Sequence, residues 1–249
     1  MTGTLFLIPN TLALHSSETA QGLNSIIPES VQQLSSQLTH FVAENAKTTR
    51  AYLKQLSESH PLAKPIQEIQ INELNINTPE QALQQLIAPL LAGHDVGLIS
   101  EAGVPAIADP GANLVRLAHR HNISVRPLVG PSSLLLSLMG SGLNGQSFAF
   151  HGYLPTDAAA RAKRIKELDE RSKKEKQTQF FIETPYRNLA LLESLCTHCR
   201  AETQICVATD LSLESESIKT LSAKEWKNLI QKQQAPDIHK KPSVFLFLA

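Results

Sequence analysis

The sequence predicts an α/β fold made of two α/β domains, and three observations carry that reading. Between residues 78 and 133, apolar runs of strand length alternate with helix-length segments, the rhythm of a parallel sheet crossed by helices. The second half differs, with a strand of alternating aromatics at 148–153, a charged helix at 158–176 and three further strands. Between the two lies a break near residues 127–131, which sets expected domains of 1–128 and 129–249.

Each element has its own reason. Residues 3–9 (GTLFLIP) are an apolar run ended by Pro9-Asn10 and read as a buried first strand. Residues 15–37, rich in Ser and Gln, read as helix or loop, 39–43 (THFVA) as a second strand and 46–57 as a helix. Thr78 is placed to N-cap the next helix, with Pro79 in its first turn and Gln81 completing a capping box. Gly93 falls just past that helix, and Pro89 is expected to kink its last turn. Residues 96–100 (VGLIS) form a strand, 101–111 a Gly/Pro-rich loop, 114–121 a helix and 123–129 the next strand. Gly130-Pro131-Ser132-Ser133 opens another helix. Further on, 179–183 (QFFIE), 203–208 (TQICVA) and 243–248 (SVFLFL) read as strands, with helices at 187–196 and 223–232 between them.

Composition excludes several classes. Lys plus Arg and Asp plus Glu both total 23 in 249 residues, and 42% of residues are apolar. That is too apolar for a disordered chain and too balanced for a uniformly basic nucleic-acid binder. Residues 1–15 carry no Lys or Arg and are broken at Pro9-Asn10, which reads poorly as a signal peptide. No apolar run approaches the roughly 20 residues that span a bilayer. Three cysteines make no paired disulfide framework, so the expected location is cytoplasmic.

The densest chemical signal is residues 99–111, ISEAGVPAIADPG, which follow a strand and precede a helix. Ligands of open α/β sheets bind outside the carboxyl ends of strands. Gly103 and Gly111 allow backbone close to a ligand, and Glu101 and Asp109 supply two carboxylates that could accept from hydroxyls or attract a cation. A tight turn punctuated by Asp109-Pro110-Gly111 explains the same residues. Val129-Gly130-Pro131-Ser132-Ser133 also lies between strand and helix, where amide groups and two hydroxyls suit a carboxylate or phosphate, or simply cap the helix. Neither GxxxxGK[ST] nor GxGxxG is present.

Taken together, ISEAGVPAIADPG, then PLVGPSS, then FAFHGYLP resemble the tetrapyrrole-methylase superfamily of S-adenosylmethionine-dependent methyltransferases. The pattern is most similar to the branch that methylates a ribose 2′-hydroxyl of small-subunit ribosomal RNA, with its S-D-A-G-x-P-x-x-x-D-P-G loop, P-G-P-S turn and F-x-F-x-G-[FY]-L-P strand. AENAKTTRAYL at 43–53 and FFIETPYRNLALL at 180–192 are similar to two further stretches of that branch, and the likeness spans about residues 3–216. The resemblance implies two α/β domains with the cofactor in the cleft between them, usually in a homodimer. It implies cofactor contacts at Pro9, Ser100, Glu101, Gly103, Val104, Ser132, Ser133, Ile182, Glu183 and Leu211. The sequence departs from the branch in places. The first loop, PNTLALHS, has no glycine before Gly22; Asn45 and Glu101 stand where the branch has Asp. Thr209-Asp210-Leu211-Ser212-Leu213 replaces a segment holding an Arg and a Lys.

Methyl transfer from a sulfonium is an in-line displacement, so the protein mainly holds nucleophile and methyl together. A ribose hydroxyl also needs a proton acceptor, for which Glu44 is the candidate. Lys47, Arg50, Tyr186 and Arg187 are candidate substrate contacts, and an exposed charged helix start accounts for the first two equally. Residues 161–176 hold eight Lys/Arg against four Asp/Glu, a face for RNA phosphates or a solvated helix with i,i+4 pairs. Cys196, Cys199 and Cys206 lack a second CxxC or flanking His pair, so no metal is expected. The expected function is S-adenosylmethionine-dependent methylation, with ribosomal RNA ribose as substrate. Methylation of a small molecule such as a tetrapyrrole, or cofactor binding without turnover, are the other readings.

Overall fold

Side-chain alternation with period two builds the first half of the protein. The computed structural model describes residues 1–12 and 22–249, so residues 15–21 of the polar segment expected as helix or loop lie outside the described residues. In the unit Met1–Ser132 the order is β1 (Thr4–Ile8), α1 (Leu23–Ile26), α2 (Glu29–Ser36), β2 (His40–Ala43), α3 (Ala46–Ser57), β3 (Gln70–Glu73), α4 (Leu83–Leu91), β4 (Val96–Ile99), α5 (Ala112–Arg120) and β5 (Ser124–Pro127). The five strands form one parallel sheet in the order β3-β2-β4-β1-β5. Phe6, Ile8, Phe41, Ala43 and Ile99 face one core with Tyr52, Leu53 and Leu56 of α3. Leu5, Val42, Val96 and Leu98 face the other, with Leu86, Ile87 and Leu90 of α4 and Leu114 of α5. Neighbouring residues thus serve opposite faces, as a strand covered on both sides requires.

Gly97 shows how tightly this sheet is filled. It lies level with Phe6 on β1 and Phe41 on β2. A Cβ there would stand 2.5 Å from Ile8 Cδ1 and 3.0 Å from the Phe41 ring. The absent side chain is the space those two occupy.

The second unit, Ser133–Ala249, holds α6 (Ser133–Ser141), β6 (Phe148–Tyr153), α7 (Ala158–Glu175), β7 (Thr178–Ile182), α8 (Asn188–His198), β8 (Gln204–Thr209), β9 (Ser217–Ser222), α9 (Ala223–Gln231) and β10 (Ser243–Leu248). Its sheet runs β6-β7-β10-β8-β9. Only β6 and β7 pair in parallel; β10 is antiparallel to both β7 and β8, and β9 to β8. Phe181, Phe245 and Phe247 pack with Trp226 and with Ile165, Leu168 and Leu195 of the helices on one face. Phe180, Val244, Leu246 and Cys206 meet Leu134 and Leu138 of α6 on the other. Gly140 lets α6 lie close to β9, since a Cβ there would fall 2.5 Å from Ile218 Cδ1.

The structure departs from the sequence reading at Thr78 and at two strands. Thr78 does not cap a helix. Its hydroxyl accepts from the Asn75 amide at 2.9 Å, Pro79 leads into a 3-10 turn over Glu80–Ala82, and α4 starts only at Leu83. A local turn bond has outcompeted the capping box, as short polar side chains allow. Strands β3 (QINE) and β9 (SIKTLS) were not foreseen; both are sheet edges, partly exposed and weakly apolar. The three thiols are free, and burial pushes each up, Cys196 to about 12, so they pack as protonated side chains. No described helix is long and apolar enough to cross a membrane.

Gly97→Ala should cost about 1–3 kcal/mol, because Ile8 and Phe41 are fully buried and have nowhere to yield. The urea midpoint should fall with the slope unchanged. A midpoint equal to that of the wild type would show that the sheet relaxes around the methyl.

Candidate functional site

The loop that follows β4 is built from backbone that most residues avoid. Ala106 and Ala108 have φ of 66° and 62°, and Gly103 and Gly111 have 68° and 131°. Conformations of this kind persist only where neighbours over-determine them. Here the neighbours come from the ends of β1 and β2. Asn10, buried just after β1, donates its side-chain amide to the carbonyls of Ser100 (3.3 Å) and Glu101 (3.0 Å). Its backbone N–H donates to Gly103 O at 2.8 Å, and Gly103 N–H donates to Thr11 O at 3.3 Å. Glu44, just past β2, accepts the Glu101 amide on Oε2 at 3.0 Å. Thr48 on α3 donates to Glu101 Oε1 at 3.0 Å. Ser100 is buried, while Glu101 and Val104 are half-buried.

Gly130 explains the following turn. A Cβ on it would lie 2.2 Å from Pro9 Cβ and 2.3 Å from Pro9 Cγ. The glycine therefore lets the chain after β5 pass against the Pro9 ring, and Pro131 O comes within 3.6 Å of the Cβ position of Gly103. Pro9, Glu44, Ser100, Glu101, Gly103 and Val104 thus meet at the carboxyl end of the first sheet, and buried Ser132 closes that unit. Ser133 begins α6 of the second unit. Lys47 and Arg50 project from α3 into solvent.

Electrostatics single out Asp109. Burial is the main cause of its shift, with Glu44 and Glu101 adding repulsion and the Ser100 hydroxyl opposing it, and its carboxyl is pushed up to about 6. Beyond the Asp109–Gly111 turn lies a cavity of about 600 Å³, lined by Asn75, Thr78, Glu80, Asp109, Asn113 and Arg116 among others.

In the second unit, β7 and β8 both end beside the start of β10, because Val244 pairs with Ile182 on one side and Ala208 on the other. Ile182, Glu183 and Leu211 therefore share one end of that sheet. Glu183 is buried, and its Oε1 accepts from Thr184 N (2.6 Å) and from Arg187 Nε (3.0 Å) and Nη2 (2.5 Å). Its carboxylate is thus taken up by Arg187, and Tyr186 between them is exposed. Leu211 is buried between Asp210 and Ser212, both at positive φ. The segment 209–213 has no basic residue of its own, but Lys241 Nζ lies 3.5 Å from Asp210 Oδ2. Two residues that hold the loop after β4 escaped the sequence reading, Asn10 and Thr48. Asn10 carried a signal, the Pro-Asn ending of an apolar strand.

Residues 27–226 match the family model for tetrapyrrole (corrin/porphyrin) methylases. The chain belongs to that family. The matched span includes every candidate residue named above except Pro9. Among curated relatives, the ribosomal RNA small subunit methyltransferase I of Vibrio cholerae is 32% identical over 152 residues, 61% of this chain and 51% of the relative. The protein of the same name from Pseudomonas aeruginosa is 38% identical over 141 residues, 57% and 49% of the two chains. That from Xylella fastidiosa is 32% identical over 181 residues, 73% and 62%. The chain thus spans about half the length of most of the curated relatives it matches. Among solved structures, the methyltransferase CobJ superposes with a TM-score of 0.61 at 13% identity, over 99% of this chain and 94% of that one. A conserved hypothetical protein from Aeropyrum pernix K1 gives 0.63 at 14%, over 100% and 85%. This methylase-family member therefore has the two-domain α/β fold the sequence led us to expect.

The Asp109 shift has a defined sign. The folded carboxyl keeps its proton up to about pH 6, whereas its ordinary value is 3.8. Between those values the native state binds more protons, so this group's contribution to stability falls as pH rises through the window. Asp109→Asn should therefore stabilise the protein at about pH 7.5, by on the order of 1 kcal/mol after solvent screening, and the gain should vanish by about pH 3.5. Urea midpoints of both proteins across this range check it. A gain that does not change with pH would rule out titration of Asp109 as its source.

Proposed function

We propose that the protein is a cytoplasmic methyltransferase that uses S-adenosylmethionine to methylate ribosomal RNA at a ribose 2′-hydroxyl. The observation that carries the reading is the strained loop 100–111, pinned by Asn10, Glu44 and Thr48 at the carboxyl end of a parallel sheet. The names of the relatives supply the substrate class, and the family supplies the type of reaction.

The residues present suit the cofactor. When bound, it supplies an electrophilic methyl group on a positively charged sulfur. Ser100, Glu101, Gly103 and Val104 would hold it, beside Pro9 and Ser132. The positive φ of Gly103 turns the backbone where a side chain would be strained, and three carboxylates nearby suit a cationic ligand. From the second unit, Ser133, Ile182, Glu183 and Leu211 belong to the same reading, Glu183 through its backbone because its carboxylate is held by Arg187. Glu44 keeps Glu101 in place through one oxygen, and it is the proton acceptor of the proposal. Lys47, Arg50, Tyr186 and Arg187 remain the proposed RNA contacts. The exposed Leu135 and Met139 on α6 support an assembly of two copies.

Labelled S-adenosylmethionine incubated with the protein and total RNA from cells lacking its gene should place label in one ribose of ribosomal RNA. Label in a small-molecule fraction alone would overturn the substrate. Calorimetry should show Glu101→Gln binding the cofactor about tenfold more weakly, the scale of a charge-assisted contact. Unchanged affinity would remove Glu101 from the cofactor site.

A further inference from the structure

The turn after β7 and the segment before β10 are locked together in a way that no motif of the sequence announced. Asn188, fully buried at the start of α8, donates its amide to Ile238 O (2.8 Å), Lys241 O (2.7 Å) and Ser243 Oγ (3.2 Å). Lys240 N–H donates to Pro185 O at 3.1 Å, and buried Ile238 anchors the segment in the core of the unit. The result is a fixed surface carrying Tyr186, 73% exposed, with His239 and Lys240 around it. The Lys240 ammonium lies over the Tyr186 ring, 5.7 Å from its centroid. The His239 ring meets it edge-on at 6.4 Å.

The charges here are sorted. Arg187 is held by Glu183 and Lys241 by Asp210. Lys240 makes no ion pair among the described residues. Tyr186 and Lys240 are both exposed, so the ring and the ammonium are open to a ligand and neither belongs to the core of the unit. Aromatic rings with flanking cations are what single-stranded nucleic acid uses: bases stack on the ring, and cations meet the backbone. The basic face of α7 lacks any such aromatic set, and its Arg164 and Arg171 are paired along the helix with Glu167 and Glu175.

We propose that Tyr186, His239 and Lys240 form a docking point for single-stranded RNA, in which one base stacks on Tyr186 and an adjoining phosphate meets Lys240 and His239. This deepens the RNA reading above and rests on it. His239 and Lys240 lie outside the family-matched span, so the docking point joins a family segment to one beyond it.

Fluorescence anisotropy with labelled single-stranded oligoadenylate tests it on the full chain. Tyr186→Ala should weaken binding about tenfold, as loss of one stacked base does, while Tyr186→Trp should retain it. Lys240→Gln should make the dependence of log affinity on log salt shallower by about 0.7, the value for one phosphate contact on a single strand. Equal affinity for wild type and Tyr186→Ala overturns the proposal, as does a wild type that binds no RNA. Displacement of the RNA by polyglutamate at equal charge concentration would point to an acidic protein segment and overturn it too. Methyl transfer is read separately. If the affinity pattern holds but no RNA is labelled, the methylation reading fails and the docking point stands.

Discussion

The tie between Asn10 and the loop after β4 is the constraint on which the first unit's candidate site depends. Two alanines at positive φ in one loop cost on the order of 1–3 kcal/mol each. That conformation holds because the loop has no freedom to leave it. Asn10 holds two carbonyls, its backbone pairs with Gly103, and Glu44 and Thr48 hold the amide and side chain of Glu101. Asn10 and Glu44 stand just beyond the ends of β1 and β2, and Thr48 lies in the first turn of the helix that follows β2, so the parallel sheet sets their spacing. The turn at Gly130 then packs on Pro9 for want of a side chain, which brings the chain after β5 to the same place. A sheet order that puts β1 between β4 and β5 is what allows one asparagine and one proline to serve both loops.

The zero net charge of the chain conceals a division. The unit Met1–Ser132 carries 7 Lys/Arg against 10 Asp/Glu, and the unit Ser133–Ala249 carries 16 against 13. On the proposed function, this matches the two ligands. The acidic unit holds the loop assigned to a cofactor whose sulfur is cationic. The basic unit holds Tyr186, Lys240 and α7, the surfaces available to a polyanion. Such attraction acts over roughly a Debye length, about 8 Å at physiological salt, so it steers ligands and leaves the specific contacts to the residues themselves.

Much of the fold was legible because burial on both faces leaves a strong mark. β4 reads as a continuous apolar run, and all four of its residues are buried. α3 was read at its observed limits because Asn45 begins it, its side chain accepting from Lys47 and Thr48 amides. β3 and β9 were not legible, since an edge strand packs on one neighbour and needs few apolar side chains. The candidate loop was legible through its glycines and carboxylates. Its restraint was not, because Asn10 and Ser100 are 90 residues apart and only the sheet brings them together. Likewise Glu183 was expected as a cofactor contact through the family resemblance, and its pairing with Arg187, four residues on, was not legible.

The second unit inverts the rule that made the first one readable. In a parallel sheet every loop at the carboxyl end follows a strand, so sequence order points to the site. In the second unit the central strand, β10, runs against β7 and β8, and its amino-terminal end therefore lies beside their carboxyl ends. The segment before β10 joins the end that carries the candidate residues Ile182, Glu183 and Leu211, although nothing in its own sequence marks it as a ligand loop. Asn188 is the residue that makes this junction specific, because its three donated bonds all go to residues 238–243. A short polar stretch, DIHKK, is thereby given one conformation beside Tyr186. Its lysines are consequently sorted by geometry and not by sequence, Lys241 turned to Asp210 and Lys240 to the tyrosine ring.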